Sequence, residues 1–154
     1  MAPGYAFDQE LDRVLGAIPT GDAFRVRQDV LALVKTDLVE VRPRITTPGD
    51  SPALSLYGTL GIRYHAEQYN IPIELSLSRY PHIAPACFVR PTAEMMIRQN
   101  HRNVDPTGRI DLPYLRDWNP ASNLVELCTI ASSVFSSKPP LFAKPDEPPS
   151  RAPT

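Results

Sequence analysis

The stretch His101-Arg102-Asn103-Val104-Asp105-Pro106-Thr107-Gly108-Arg109-Ile110-Asp111-Leu112-Pro113-Tyr114-Leu115 follows neither the helical nor the strand hydrophobic period. Pro106, Gly108 and Pro113 punctuate it, and the same texture extends from residue 91 to residue 118. Long irregular segments within compact domains are often functional. Upstream, residues 39–46, 53–62, 69–78 and 86–89 alternate in polarity and are separated by short turns, which predicts four strands in an antiparallel meander. Before them, Phe7, Leu11, Val14, Leu15 and Ile18 recur with helical spacing. A second helix is expected from about Asp22, as N-cap, to about Leu38, with Phe24, Val30, Leu31, Val34 and Leu38 on its apolar face. Downstream, Asn119-Pro120 has the form of an N-cap followed by Pro at the first helical position. Leu124, Leu127, Cys128, Ala131 and Phe135 then form one apolar stripe. Helices, meander, irregular segment and final helix in that order indicate an α+β fold.

Composition narrows the function classes. Pro makes up 18 of the 154 residues, more than twice the usual ~5%. With only 7 Gly, the collagen repeat is excluded. Six Pro fall from Pro139 onward, so the folded unit is expected to span residues 1–145, with a Pro-rich linker beginning over 146–154. Sixteen Lys and Arg balance 17 Asp and Glu, without the basic excess of a nucleic-acid binder. No apolar run approaches the ~18 residues of a membrane span, and the first ten residues lack the features of a signal peptide. A cytoplasmic protein follows, meeting membranes only through partners. Cys87 and Cys128 lie in apolar runs and read as buried thiols. His65 and His82 fall in turns and make no metal spacing with the cysteines, so no metal or cofactor is expected.

The irregular segment resembles the active-site segment of ubiquitin-conjugating enzymes. That family has His-Pro-Asn, a Gly-containing turn, and a catalytic Cys ten residues after the His. Tyr80-Pro81 with Pro85 resembles the family's turn after the third strand. Trp118-Asn119-Pro120 resembles its entry to the next helix. Here Asp111 stands ten residues after His101. Transthiolation needs a thiolate, both good nucleophile and good leaving group, and a carboxylate cannot replace it. The resemblance therefore implies a ubiquitin-conjugating-enzyme-like fold with a catalytically dead segment, in which His101 and Asn103 only shape the loop.

Among such variants, the chain is similar to the ubiquitin-conjugating enzyme variant (UEV) domains of ESCRT-I tumour-susceptibility and vacuolar-sorting subunits. Leu56-Tyr57-Gly58-Thr59-Leu60, Tyr69-Asn70-Ile71-Pro72-Ile73, Cys87-Phe88-Val89-Arg90-Pro91-Thr92 and Pro139-Pro140-Leu141-Phe142 carry the likeness. It implies binding of Pro-Thr-Ala-Pro or Pro-Ser-Ala-Pro peptides. Tyr64, Tyr69, Met95, Leu141 and Phe142 would line the groove. Thr59, Asn70, Ile71 and Pro72 would form its strand-side wall, and Pro139 and Ala143 would complete it. Taken singly, these Tyr, Met and Phe residues are as compatible with ordinary core as with a groove. The resemblance also implies noncovalent ubiquitin binding through the first hairpin and a patch on the sheet, at Arg44, Ile45, Thr46, Thr47, Ser76 and Phe88. Ser76 stands where animal members carry a Trp, and Phe88 reads as an inward strand residue. Implied partners are motif-bearing proteins, ubiquitin and, through parts outside this chain, other ESCRT-I subunits, with recruitment to endosomes. An alternative is an inactive partner subunit of an active conjugating enzyme.

Overall fold

A computed structural model of the chain describes residues 6–144. The expected linker over 146–154 lies outside them. Two helices, α1 (Phe7–Gly16) and α2 (Ala23–Val34), lead into β1 (Val39–Thr46), β2 (Ala53–Tyr64), β3 (Glu67–Ser76) and β4 (Ala86–Val89). These strands form one antiparallel sheet in chain order. After it come β5 (Met95–Ile97), a single turn α3 (Pro113–Arg116), the long helix α4 (Leu124–Ser137) and β6 (Leu141–Ala143). The last strand pairs with β5 in a separate two-stranded sheet.

Strand alternation gives the large sheet one apolar face. Leu54, Leu56, Leu60, Ile71, Ile73, Leu75, Cys87 and Val89 are buried on it. α4 packs on β2, and α1 and α2 pack beside it on β1. The α4 stripe read from sequence is buried in full. Gly58 marks a close approach between strands: a Cβ there would stand 1.9 Å from the Glu40 carbonyl oxygen. No side chain fits, which explains the Gly inside Leu-Tyr-Gly-Thr-Leu.

Four expectations change. Phe24 is 81% exposed, because the buried stripe of α2 is Val26, Val30 and Leu33 and Phe24 lies nearly opposite Val26 on the helix. Leu38 falls beyond the end of α2. Asp22 occupies the N-cap position, but its side chain caps nothing; the carboxylate instead meets His82 Nε2 at 2.8 Å. Asn119-Pro120 does not start α4. Asn119 Oδ1 accepts from Ala121 N at 2.8 Å, closing an Asx turn. The cap is Asn123, whose Oδ1 accepts from Glu126 N at 2.8 Å.

The motifs that lie far apart in sequence meet in space. Trp118 Nε1 donates to the Pro81 carbonyl at 2.9 Å, and the rings of Tyr80 and Tyr114 both stand edge-on to Trp118. The Tyr80 hydroxyl bonds Asp29. Arg25 Nε donates to Asp29 at 2.8 Å, and its Nη2 donates to the Ser122 carbonyl at 2.8 Å. One polar network thus ties α2 to the turn before β4 and to the loop before α4.

Candidate functional site: a groove beside the irregular segment

The segment around His101 is knitted to itself and to the open edge of β4. Val89 N donates to the Gly108 carbonyl, and Ile110 N to the Cys87 carbonyl, both at 2.8 Å. Gly108 has φ +97°, and a Cβ there would lie 2.7 Å from the Val89 carbonyl oxygen. Asp105 Oδ1 accepts from Thr107 Oγ1 at 2.6 Å, Thr107 N at 2.8 Å and Arg109 N at 3.0 Å. The hydrogen bonds from Thr107, ahead of that from Arg109, hold the Asp105 carboxyl below the usual range. His101 is buried: Nε2 meets the Lys138 carbonyl at 2.7 Å, and Nδ1 accepts from Asn103 N at 2.9 Å. Asn103 Nδ2 donates to the Asp111 carbonyl at 2.9 Å.

The Asp111 side chain is exposed and pairs with Arg116 at 3.1 Å. Neither cysteine can take over as nucleophile. Both are buried. Burial, first, and the neighbouring Cys128 push the Cys87 thiol up; burial pushes the Cys128 thiol to about 12. A nucleophilic cysteine needs the opposite environment.

The groove lies between the β2–β3 hairpin end and the β5–β6 sheet. Tyr64, Tyr69, Asn70, Ile71, Met95, Pro139, Leu141, Phe142 and Ala143 line it, joined by Ile62 and Arg98, and it encloses about 390 Å³. Tyr69 and Phe142 remain exposed, which is unusual for large aromatics and leaves contact area unused. The Tyr64 ring is braced by His65, with centroids 4.0 Å apart. The far wall is held by main-chain pairing of Met95 with Ala143 and Ile97 with Leu141. Arg98 N extends it, donating to the Pro140 carbonyl at 2.7 Å. Sequence reasoning missed this sheet, since three-residue strands are too short to show a period. It therefore missed Arg98 too.

Two residues expected in the strand-side wall do not line this groove. Thr59 and Pro72 are cross-strand partners, and the strand period turns both to the outer face of the large sheet. Thr59 lines a separate cleft with Asp37, Glu40 and Asn70, and Pro72 lines another with Arg44 and Tyr57.

Arg44, Ser76 and Phe88 stand together on that outer face. Phe88 is not inward: Cys87 and Val89 are the buried residues of β4, and the guanidinium groups of Arg90 and Arg109 lie 4.3 and 5.4 Å from the Phe88 ring centre. Arg44 covers the Tyr57 ring at 4.5 Å. Glu74 sits buried among them, accepting from Ser55 Oγ at 2.6 Å, Arg90 Nε at 3.0 Å and Arg44 Nη2 at 3.3 Å. Burial pushes the Glu74 carboxyl up, but the hydrogen bonds from Ser55, Arg90 and Arg44 outweigh it and hold it below its ordinary value. Ile45, Thr46 and Thr47 lie at the end of the β1–β2 hairpin, whose tip is a 3₁₀ turn at Pro48–Asp50.

A four-stranded antiparallel meander backed by a long helix, with helices at its start and an irregular segment before the last helix, defines a ubiquitin-conjugating-enzyme-like fold. The chain belongs to the UEV domain family, whose model matches residues 26–143. It is 42% identical over 125 residues to the mouse tumor susceptibility gene 101 protein, covering 78% of this chain and 32% of that protein. It is 36% identical to Protein ELC of Arabidopsis thaliana over 77% of this chain and 31% of that one. The chain thus spans about a third of the length of these curated relatives. Among solved structures, the Vps23 UEV in a complex with ubiquitin matches with a TM-score of 0.62 and 25% identity, over 88% of this chain and 99% of that one.

Proposed function

We propose that this UEV domain is a noncatalytic reader that binds Pro-Thr-Ala-Pro or Pro-Ser-Ala-Pro peptides in the groove and ubiquitin on the outer sheet face, as part of an ESCRT-I subunit acting in endosomal sorting. The groove carries the peptide reading: the exposed aromatics Tyr69 and Phe142 converge there with Tyr64 and the half-buried Met95. A Pro-rich peptide is already near the polyproline II conformation and loses little entropy on docking against such a surface. Asn70 supplies the polar group that orients it. A four-residue motif would bind with a Kd between roughly 1 μM and 1 mM, or about −8.2 to −4.1 kcal/mol, and would gain strength by avidity in an assembly. The ubiquitin reading is supported by the similarity to a UEV captured with ubiquitin. Recruitment to endosomes would then follow from partners, since among the described residues no helix is long and apolar enough to cross a membrane.

Calorimetric titration with a Pro-Thr-Ala-Pro peptide, and with its all-Ala counterpart as control, tests the groove. Binding of the first alone is the expected result; equal heats from both would refute it. An NMR titration with ubiquitin tests the second surface. Shifts confined to residues away from 44–47, 76 and 88 would reject it. Incubation with activating enzyme, ATP and ubiquitin is expected to give no thioester.

A further inference from the structure

Arg98 is the charged member of an otherwise apolar and neutral groove. Its Nε donates to the Pro139 carbonyl at 2.8 Å, and its guanidinium carbon lies 5.5 Å from the centre of the Phe142 ring. These two contacts fix the head on the β5–β6 wall. Among the described residues its terminal amino groups have no hydrogen-bond partner, and no carboxylate pairs with it. A positioned guanidinium with free donors beside a peptide groove is a receptor for a carboxylate.

The opposite side of the groove has the opposite charge. Asn70 lines both the groove and a second cleft of about 480 Å³ that also holds Asp37 and Glu40. Neither acid has an ion-pair partner among the described residues. A peptide that fills the groove therefore has the Arg98 guanidinium on its β5–β6 side and, past Asn70 on its β2–β3 side, these two carboxylates.

Resting on the peptide-binding reading above, we propose that Arg98 is a specificity-determining residue that selects an acidic side chain flanking the Pro-rich motif at one end only, while Asp37 and Glu40 disfavour acid at the other end. The chain would then read the charge next to the motif as well as the motif. The end that prefers acid would reveal the direction in which the peptide lies.

The test uses three blocked Pro-Thr-Ala-Pro peptides titrated by calorimetry: Gln on both flanks, Glu replacing the N-terminal Gln, and Glu replacing the C-terminal Gln. One Glu peptide should bind about two- to fivefold more tightly than the neutral one, the size of a partly exposed ion pair. The other Glu peptide should bind equally or less well. The gain should disappear in about 1 M salt, where the screening length is ~3 Å. It should survive in Arg98→Lys and vanish in Arg98→Gln, each compared with the neutral peptide on the same variant so that loss of the Pro139 contact cancels. In an Asp37→Asn, Glu40→Gln variant, any penalty at the second flank should be relieved. Gain at both flanks, gain at neither, or gain that persists in Arg98→Gln would overturn the proposal while leaving the groove reading intact. Failure of the neutral peptide to bind the wild type would remove the groove reading and this inference with it.

Discussion

The groove and the His101–Leu115 segment use similar residues to opposite ends. In the segment, polar groups find each other: the buried His101 holds Asn103 and Lys138, Asn103 holds the Asp111 carbonyl, and Asp105 holds Thr107 and Arg109 at the surface. In the groove, Tyr69 and Phe142 stay exposed and Met95 only half-buried, leaving apolar surface open. The contrast separates a segment that uses its polar groups to hold its own structure from a groove that leaves apolar surface open, where the proposed peptide binding resides. Under that proposal the segment is a stability feature, and the open aromatics are the functional one.

The largest effect should come from His101→Ala. It removes two hydrogen bonds and strands the Lys138 carbonyl, at a cost of about 2–4 kcal/mol of stability, measured by urea unfolding. Peptide affinity of the folded fraction should change less than about threefold, a difference of under ~0.7 kcal/mol. A fall in affinity as large as that of a groove mutant would break the separation, since Lys138 adjoins Pro139. Next, Tyr64→Ala or Met95→Ala should reduce peptide affinity at least about tenfold, or ~1.4 kcal/mol, while the unfolding midpoint stays close to wild type. Unchanged titrations with these folded variants would reverse the assignment of roles.

The outer face supplies a third point on the scale, satisfied internally yet accessible. Because the Glu74 carboxyl is held below its ordinary value in the folded state, its contribution to stability is complete above the unfolded value of about 4.3. It disappears as pH falls through the lower folded value. Wild type should thus lose more stability than Glu74→Gln between pH 5 and 3, read as chemical denaturation midpoints across that range. Equal losses would show that Glu74 is not the clamp its contacts imply. The smallest effect should be at Asp111. Asp111→Ala removes an exposed pair with Arg116 and should shift stability by less than about 0.5 kcal/mol; a larger change would mean that Asp111 has a structural role.

The elements with a long period were legible. β1 and β4 match their sequence ranges, β2 runs two residues further at its end, β3 is shifted two residues earlier at both ends, and the stripe of α4 is buried as read. What escaped was set by partners distant in the chain. β5 and β6 stabilise each other across more than forty residues, so neither announces itself locally. Phe88 looked inward because an aromatic in an apolar run suggests core, yet the phase of β4 and two stacked arginines turn it outward. Phe24 failed for the same reason of phase. Asn119 and Asn123 are both capping residues with an oxygen bonded to a backbone N–H, and only geometry distinguishes the Asx turn from the helix cap. Most groove residues were reached through resemblance. Arg98 was not, because a lone Arg after three apolar residues carries no local signal.

The two-sheet arrangement has a consequence for synthesis. One wall of the groove is complete once Ile71 has been made, but the other requires Leu141 to return and pair with Ile97. On the proposed reading, a nascent chain leaving the ribosome would be blind to its peptide until nearly all of residues 6–144 have emerged. A bound peptide would then act as a clasp between early and late parts of the chain. At a hundredfold excess over its Kd it would add about 2.7 kcal/mol against opening, so ligand supply would favour finished molecules over truncated ones.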